Sequence, residues 1–259
     1  MAETPVELVG YEVRDRVAHL TLNRPPLNVL NLAMLREMEA GLGRAAAELG
    51  LAALLVGAEG GSFCAGVDVA EHGPEFVEEM IPLFDRVCRR LAEFPAPTVA
   101  RVQGTALGGG CELVACCDFA WMASGARIGQ PEIQLGVFPP VAALLLPALV
   151  GPRWAARLVL AGETVGAEQA ALIGLISEAV PADSLGVAVD ALLDRLRSLS
   201  AAALRATVQA LRMGVAGWAT RLPEVEDLYL NRLMRTEDAV EGLRSFLEKR
   251  KPNWNHRWQ

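Results

Sequence analysis

Two glutamates lie in apolar stretches of this 259-residue sequence, where an ionised side chain is costly. Glu112 follows a run of three glycines, and Glu132 is framed by isoleucine and leucine residues. Two carboxylates that share an apolar pocket can divide the acid and base roles of a proton-transfer reaction. Their spacing along the chain leaves a simpler alternative open, in which each glutamate caps a helix or pairs with an arginine such as Arg101 or Arg127.

The triple glycine Gly108–Gly110 opens the helix that would carry Glu112. Glycine lets a ligand approach the backbone closely, and the free N–H groups at a helix start favour a negative charge such as a phosphate or an enolate oxygen. No Gly-Lys-Ser/Thr follows, which excludes a Walker loop, and Leu113 stands where a dinucleotide-binding fingerprint needs its third glycine. Tight packing of the helix against a strand is the alternative explanation of the glycines taken alone.

The segments around these residues predict the elements that must position them. Ala52–Val56 and Thr98–Val102 are short apolar runs typical of buried parallel strands. We predict helices over Glu75–Phe94 and Gly108–Cys117, and a further helix capped by Asn31. The other strand-like segments are the end of Tyr11–Leu22, where Leu20 and Leu22 face one way, Phe119–Met122 and Leu175–Val180. The alternation of strands and helices predicts an α/β unit with a largely parallel sheet.

The texture of the sequence changes from Pro139 onward, where Ala, Leu, Arg and Glu dominate. Helical periodicity is found in Ala155–Leu160, Ala167–Ile173, Leu185–Leu196, Ala202–Met213 and Val225–Leu247. Helices so rich in Ala and Leu favour packing against another subunit. The tryptophans of this part are interpreted as packing or interface residues, namely Trp154, Trp218, Trp254 and Trp258.

Composition and charge argue against several classes of function. The net charge is -7 and no long basic run is present, so nucleic acid is not expected as a partner. Five cysteines without a C-x-x-C pair, and only three histidines, predict buried reduced thiols and no metal site. Val141–Val150 is too short to span a bilayer, and Met1–Glu7 lacks the apolar core of a signal peptide. We therefore expect a cytoplasmic protein without membrane partners.

Several segments of the sequence, taken together, resemble the crotonase (enoyl-CoA hydratase/isomerase) superfamily. They are Asn23–Asn28, Phe63–Asp68, Ala106–Leu113, Gly129–Glu132 and Gly242–Arg250. These segments follow the family's order over nearly the whole chain. The resemblance implies an α/β fold, with a crotonase-like spiral of ββα turns over residues 1–195. It also implies a helical C-terminal oligomerisation region over residues 196–259 that forms a homotrimer or a dimer of trimers.

The resemblance implies a role for individual residues. The backbone N–H groups of Val67 and Gly109 are expected to form an oxyanion hole, while Glu112 activates water and Glu132 protonates the α-carbon. Six residues are expected to contact the substrate or its coenzyme A: Arg24, Ala65, Gly66, Asp68, Gly108 and Pro139. The implied reaction is the addition of water to an α,β-unsaturated acyl-CoA. It needs no metal or redox cofactor, since coenzyme A is part of the substrate.

One departure from the family pattern concerns the segment after Glu132. Ordinary hydratases have a glycine-rich run there, whereas Gly136–Leu146 is bulkier and stiffer. Together with Asp68–His72 and Asp238–Gly242, it resembles the hydratases that act on cyclohexa-1,5-diene-1-carbonyl-CoA, so a flat cyclic acyl group is a second hypothesis. His72 is left out of the catalytic set, because a surface or helix-capping histidine is an equally good interpretation.

Two other functions are weighed against hydration. The first is a crotonase-fold isomerase, in which one glutamate shuttles a proton and no water is added. The second is a non-catalytic oligomeric scaffold or RNA-associated relative. The two glutamates and the acidic balance of the chain favour a hydratase over both.

Overall fold

The computed structural model describes residues 7–73, 75–213 and 217–255, so Trp258 and nearly all of Met1–Glu7 lie outside the described residues. The strands are β1 (Val9–Arg14), β2 (Val17–Leu22), β3 (Ala53–Ala58), β4 (Thr98–Val102), β5 (Ala106–Leu107), β6 (Phe119–Ala123), β7 (Arg127–Gly129), β8 (Thr164–Gly166) and β9 (Glu178–Val180). The helices are α1 (Leu32–Ala47), α2 (Val77–Ala92), α3 (Gly109–Ala115), α4 (Pro140–Leu149), α5 (Gly151–Leu160), α6 (Ala167–Leu172), α7 (Leu185–Arg197), α8 (Ala201–Met213), α9 (Trp218–Asp227) and α10 (Glu237–Leu247).

The strands form two sheets. A six-stranded sheet has the order β1-β2-β3-β4-β6-β9, and a three-stranded sheet has the order β5-β7-β8. In the large sheet only the β1–β2 pair is antiparallel, and in the small sheet β5 and β7 are parallel while β7 and β8 are antiparallel. The predicted α/β class with a largely parallel sheet is therefore confirmed. The short strands of the small sheet were not predicted.

The large sheet is buried on both faces, as β3 illustrates. Its side chains alternate, so Leu54 and Val56 enter the main hydrophobic core, whereas Ala53 and Leu55 face a second core. Helices α1 and α2 cover the first face, and α7 covers the second through residues such as Leu193. This double coverage explains why the strand is a continuous apolar run in the sequence.

Helix α1 begins as predicted at Asn31, whose side chain accepts a hydrogen bond from the Met34 N–H at 2.9 Å. The five cysteines are free, and all except Cys117 are buried, as the sequence predicts. Within the described ranges, no helix combines the length and the apolar character that crossing a bilayer requires.

The strand-like end predicted for Tyr11–Leu22 is β2, and the start of the segment belongs to β1, because Asp15 and Arg16 adopt positive φ and reverse the chain. One predicted element differs from the structure. Val225–Leu247 was expected to be one helix. Instead α9 ends at Asp227, a π turn and a 3-10 turn follow, and α10 begins where the Thr236 hydroxyl accepts a bond from the Ala239 N–H at 3.2 Å.

Candidate active site

The small sheet brings the two glutamates of the sequence together. Strand β5 leads directly into the triple glycine and α3, which carries Glu112, and β7 leads into the segment with Glu132. The two strands are parallel neighbours, and the Gly108 N–H donates to the Gly129 carbonyl at 2.9 Å just beyond them. Because parallel strands end at the same edge of a sheet, the residues that follow them face one space.

Glu112 lies in the first turn of α3 and is 2% exposed. Its carboxylate accepts a hydrogen bond from the Ala142 N–H at 2.8 Å, at the start of α4. Pro140 occupies the first position of that helix, where the N–H it lacks would have had no partner inside the helix. Burial raises the pKa of Glu112 to about 7, and the N–H groups of Val141 and Ala142 limit the rise by stabilising the charge.

The structure also answers the alternative in which an arginine neutralises the glutamates. Arg127 donates instead to the Thr164 carbonyl at 2.7 Å, and the Arg101 guanidinium packs against Gly57. Neither arginine contacts Glu112 or Glu132 among the hydrogen bonds and ion pairs found in the described ranges. Among the described residues, the partners of the two carboxyl groups are therefore backbone N–H groups and an amide, and not cations.

Glu132 projects from a 3-10 segment, Pro131–Leu135. Its Oε1 lies so close to Gly108, whose φ is 53°, that a Cβ at this glycine would be 2.5 Å away. With its amide nitrogen facing Glu132, Gln130 donates to both carboxylate oxygens at 3.1 Å. Although Glu132 keeps partial exposure to the cavity, protein atoms surround its carboxyl group. This burial, together with the charge of Glu112, raises the pKa of Glu132 well above its ordinary value.

A cavity of about 430 Å³ lies between the two glutamates. Most of the residues predicted for the site line it: Ala65, Gly66, Val67, Gly108, Gly109, Glu112, Glu132 and Pro139. Val67 and Gly109 are in contact, since a Cβ at Gly109 would lie 2.8 Å from Cγ2 of Val67. The loop is fixed on both sides of Val67, because the Ala65 N–H donates to the Leu27 carbonyl and the Asp68 N–H to the Leu30 carbonyl.

Two predicted contact residues, Arg24 and Asp68, lie outside this lining. They pair with each other at 3.3 Å, and Arg24 also donates to the Val29 carbonyl at 2.8 Å. The structure thus places this arginine at the N-terminal loop, where it braces the segment that leads to Val67.

Several lining residues were not expected from the sequence. His72 lies in the lining, with Nδ1 at 3.1 Å from the Asp68 carbonyl oxygen, and burial lowers its pKa, so the ring is neutral at neutral pH. Further lining residues outside the predicted set include Phe138, Tyr229, Gly242, Ser245, Phe246 and Arg250. A sequence signal existed for one of them, because Gly242 interrupts an otherwise amphipathic helix.

Helix α10 packs directly on the segment that carries Glu132. Gly242 approaches the Leu135 carbonyl so closely that no side chain would fit between them, and Trp254 packs over Gly242 and Gly136. Trp254 is thus a packing residue, as predicted. The C-terminal part of the chain consequently forms one wall of the cavity, while the division of the chain at residue 195 stays a prediction.

A third carboxyl group, Asp85 of α2, lies behind the cavity and is 1% exposed. Burial, together with the charges of Glu112 and Glu226, raises its pKa to about 9. A carboxyl group with a pKa this far above neutrality keeps its proton at neutral pH. Asp85 is therefore neutral and adds no charge beside Glu112.

Comparison with known proteins places this geometry in a family. The model of the enoyl-CoA hydratase/isomerase family matches residues 12–257. The chain is 37% identical to cyclohexa-1,5-dienecarbonyl-CoA hydratase of Thauera aromatica, over 99% of this chain and 100% of that protein. It is 34% identical to crotonyl-CoA hydratase of Syntrophomonas wolfei, over 96% and 98% of the respective chains.

A solved structure agrees. The crystal structure of an enoyl-CoA hydratase/isomerase from Pseudoalteromonas atlantica superposes with a TM-score of 0.87, at 27% identity, over 96% of this chain and 100% of that one. The fold expected from the resemblance, an α/β crotonase fold with C-terminal helices, is therefore confirmed, and the chain belongs to the enoyl-CoA hydratase/isomerase family.

Proposed function

We propose that the protein adds water across the double bond of an α,β-unsaturated acyl-CoA, with Glu112 and Glu132 as its catalytic residues. Its family and its curated relatives support a function of the enoyl-CoA hydratase type. The observation that carries the proposal is the pair of glutamates, which line one cavity and have no cationic partner in the described part of the chain. Coenzyme A enters as part of the substrate, and the proposal requires neither a metal nor a redox cofactor.

The proposed oxyanion hole consists of the N–H groups of Val67 and Gly109. Water attack at the β-carbon moves electron density onto the thioester oxygen, which becomes an enolate. Two N–H donors, one of them at the start of α3, would stabilise that charge, and one donor of this kind is worth about 3–4 kcal/mol in related sites. The contact between Val67 and Gly109 supports this assignment, because it brings the two backbone segments to one side of the cavity.

The different pKa values of the glutamates support separate roles in proton transfer. Glu112, with a pKa of about 7, is partly ionised at neutral pH and can accept a proton from water as the oxygen bonds to the β-carbon. Glu132, with a pKa raised by burial and by Glu112, retains a proton that it can give to the α-carbon. The proton gained by Glu112 then restores Glu132, so the cycle is balanced.

A cyclic dienoyl thioester is the substrate we propose to test first. The relative from Thauera aromatica carries that substrate in its name. The cavity wall supports the choice, because Phe138, Pro139 and Pro140 form a stiff surface that suits a flat ring better than a flexible chain. We further propose that the protein is a cytoplasmic homotrimer or dimer of trimers, and light scattering would test its oligomeric state. We also propose that it binds neither nucleic acid nor membranes, and a gel shift with RNA would test the first of these.

The test of function is a thioester panel followed by product mass. We expect cyclohexa-1,5-diene-1-carbonyl-CoA to gain one water. If only crotonyl-CoA or a longer enoyl-CoA gained water, the protein would still be a hydratase, but its substrate would be a linear acyl-CoA and not the cyclic one. A shifted double bond without added mass would identify an isomerase instead, and no turnover of any thioester would contradict the proposal.

Substitution of the glutamates tests their roles. Glu112→Gln and Glu132→Gln should each lower kcat by roughly 10²–10⁴-fold, because each removes one side of the proton transfer. The matched control is Glu163→Gln, which removes an exposed carboxylate paired with Arg157 and should leave kcat unchanged. An enzyme that tolerates one of the two glutamine variants would act as an isomerase, not as a hydratase.

A further inference from the structure

Tyr229 is a buried polar residue that the reaction described so far does not use. It lies in the π turn Leu228–Arg232 that interrupts the C-terminal helices, and its side chain is 1% exposed. π turns of this kind recur at functional sites, because they redirect one side chain out of the regular helical pattern. Here the side chain belongs to the lining of the same cavity as the two glutamates.

The position of the Tyr229 ring is fixed by its neighbours. Phe138 contacts it edge to face, with ring centroids 5.3 Å apart and an interplanar angle of 65°. Helix α9, which leads into the π turn, packs on both α2 and α4. A ring held in this way offers its hydroxyl in one direction and loses little freedom when a ligand binds.

The Tyr229 hydroxyl has no hydrogen-bond partner in the described part of the chain. A buried hydroxyl without a partner is unfavourable, and native proteins rarely keep one unless a ligand or a water completes it. The second tyrosine of the sequence, Tyr11, also has a buried oxygen without a partner, but its ring lies under Arg44 and outside the cavity lining. Of the two tyrosines, Tyr229 is therefore the one that lines the cavity, where its hydroxyl can act on a bound acyl group.

Both proposed catalytic glutamates line the same cavity as Tyr229. Burial, followed by the charges of Glu132, Glu112 and Asp85, raises the pKa of Tyr229 above its ordinary value. The phenol therefore keeps its proton throughout the neutral range and acts as a donor. Asp85 is not part of the cavity lining, so its carboxyl group does not compete with Tyr229 for a bound ligand.

We propose that Tyr229 is a third catalytic residue, whose hydroxyl donates a hydrogen bond to the oxygen that is added to the β-carbon. This inference rests on the proposed function, since it assigns a donor to the water that Glu112 activates. The hydroxyl holds the water before the reaction and the new hydroxyl group after it. No bond to Tyr229 forms or breaks, and its proton stays on the phenol.

The first test compares Tyr229→Phe with Tyr11→Phe on whichever thioester the wild-type protein hydrates. Tyr229→Phe should lower kcat roughly 10- to 100-fold, with little change in KM, because the donor acts on the reacting oxygen and not on coenzyme A. Tyr11→Phe removes an equivalent hydroxyl outside the cavity and should behave like the wild type. Equal kcat for Tyr229→Phe and wild type would overturn the inference, while the hydratase function would stand.

The second test measures binding and does not depend on turnover. Calorimetry would compare a hydrated product with the same thioester lacking the hydroxyl: 3-hydroxybutyryl-CoA with butyryl-CoA, or the hydroxylated cyclohexene thioester with cyclohex-1-ene-1-carbonyl-CoA. The wild type should prefer the hydroxylated ligand roughly threefold to tenfold, and Tyr229→Phe should lose that preference. A purely structural role of Tyr229 would leave the preference unchanged.

A third measurement covers the case in which Tyr229→Phe does not fold. In Tyr11→Phe, Tyr229 is the sole tyrosine, so its ring carbon attached to the hydroxyl can be labelled and followed by NMR. The signal should shift more with the hydroxylated ligand than with its analogue. Identical shifts with both would contradict the proposed hydrogen bond.

Discussion

The two walls of the cavity are built in different ways. One wall belongs to the α/β core, where Val67, Gly108 and Glu112 follow strands and are tied by backbone hydrogen bonds. The other wall comes from the C-terminal part, where Tyr229 and Gly242 lie on turns and on a helix that packs across the first wall.

The difference between the walls separates two requirements of the site. The groups that move protons and stabilise charge need positions set to a fraction of an ångström, and a sheet with its following helix supplies them. The groups that enclose the acyl part need shape more than precision, and side-chain packing supplies that. The 3-10 segment with Glu132 joins the two, because Gly108 touches it from the core and Gly242 from the C-terminal wall.

Of the two contacts with the Glu132 segment, the one on the core side should give the larger effect when it is broken. Gly108→Ala places a Cβ against Oε1 of Glu132 in a backbone conformation that only glycine adopts easily, so Glu132 must move. A displacement of about 1 Å can cost roughly 10²-fold in rate, and we expect a loss of that order in kcat.

The control for this change is Gly125→Ala, which also has positive φ but meets nothing within 4 Å. Both variants should lose about 1–2 kcal/mol in the free energy of unfolding, measured by urea denaturation. If both kept wild-type kcat, the contact between Gly108 and Glu132 would have no role in catalysis.

A smaller effect is expected from the C-terminal wall. Gly242→Ala inserts a methyl group between α10 and the Leu135 carbonyl, which should cost about 1–3 kcal/mol of stability and lower kcat through the displaced Glu132 segment. Gly43→Ala, in the open middle of α1, should instead stabilise the protein by about 0.5–1 kcal/mol. Thermal unfolding would compare the two, and equal melting temperatures would show that α10 packs less tightly than described.

The pH dependence sharpens the comparison for the core wall. In the proposed mechanism Glu112 is the base, and its pKa is about 7, so kcat/KM should fall roughly tenfold for each pH unit below that value. A pH profile of the hydration rate would measure it. A rate that is flat from about pH 5 to about pH 8 would exclude Glu112 as the base.

The same pKa affects stability with a definite sign. Burial raises the pKa of Glu112 in the folded state above its value in the unfolded chain. Glu112 therefore contributes most to the free energy of unfolding at a pH below the unfolded-state pKa, and this contribution is lost as the pH rises to about 7. The wild type should therefore lose more unfolding free energy than Glu112→Gln between about pH 5 and about pH 8.

The sequence alone determined the α/β class, the positions of the main strands along the chain and the pair of glutamates. Those features are local. An apolar run is enough to predict strand β3 or β4, and the apolar neighbours of Glu112 are enough to single it out as a candidate for proton transfer. The crotonase resemblance added the residues around Val67 and Gly109, most of which line one cavity. The helix predicted over Val225–Leu247 was wrong, because local periodicity carries no sign of the turns between α9 and α10.

Only the tertiary structure decided how the second wall is formed. Three features depend on contacts between distant parts of the chain. Tyr229 reaches the cavity, α10 packs on the Glu132 segment, and Arg24 pairs with Asp68. The pKa values have the same origin, because burial and the proximity of other carboxyl groups arise only when the chain folds. Spacing along a sequence contains no information about such distances.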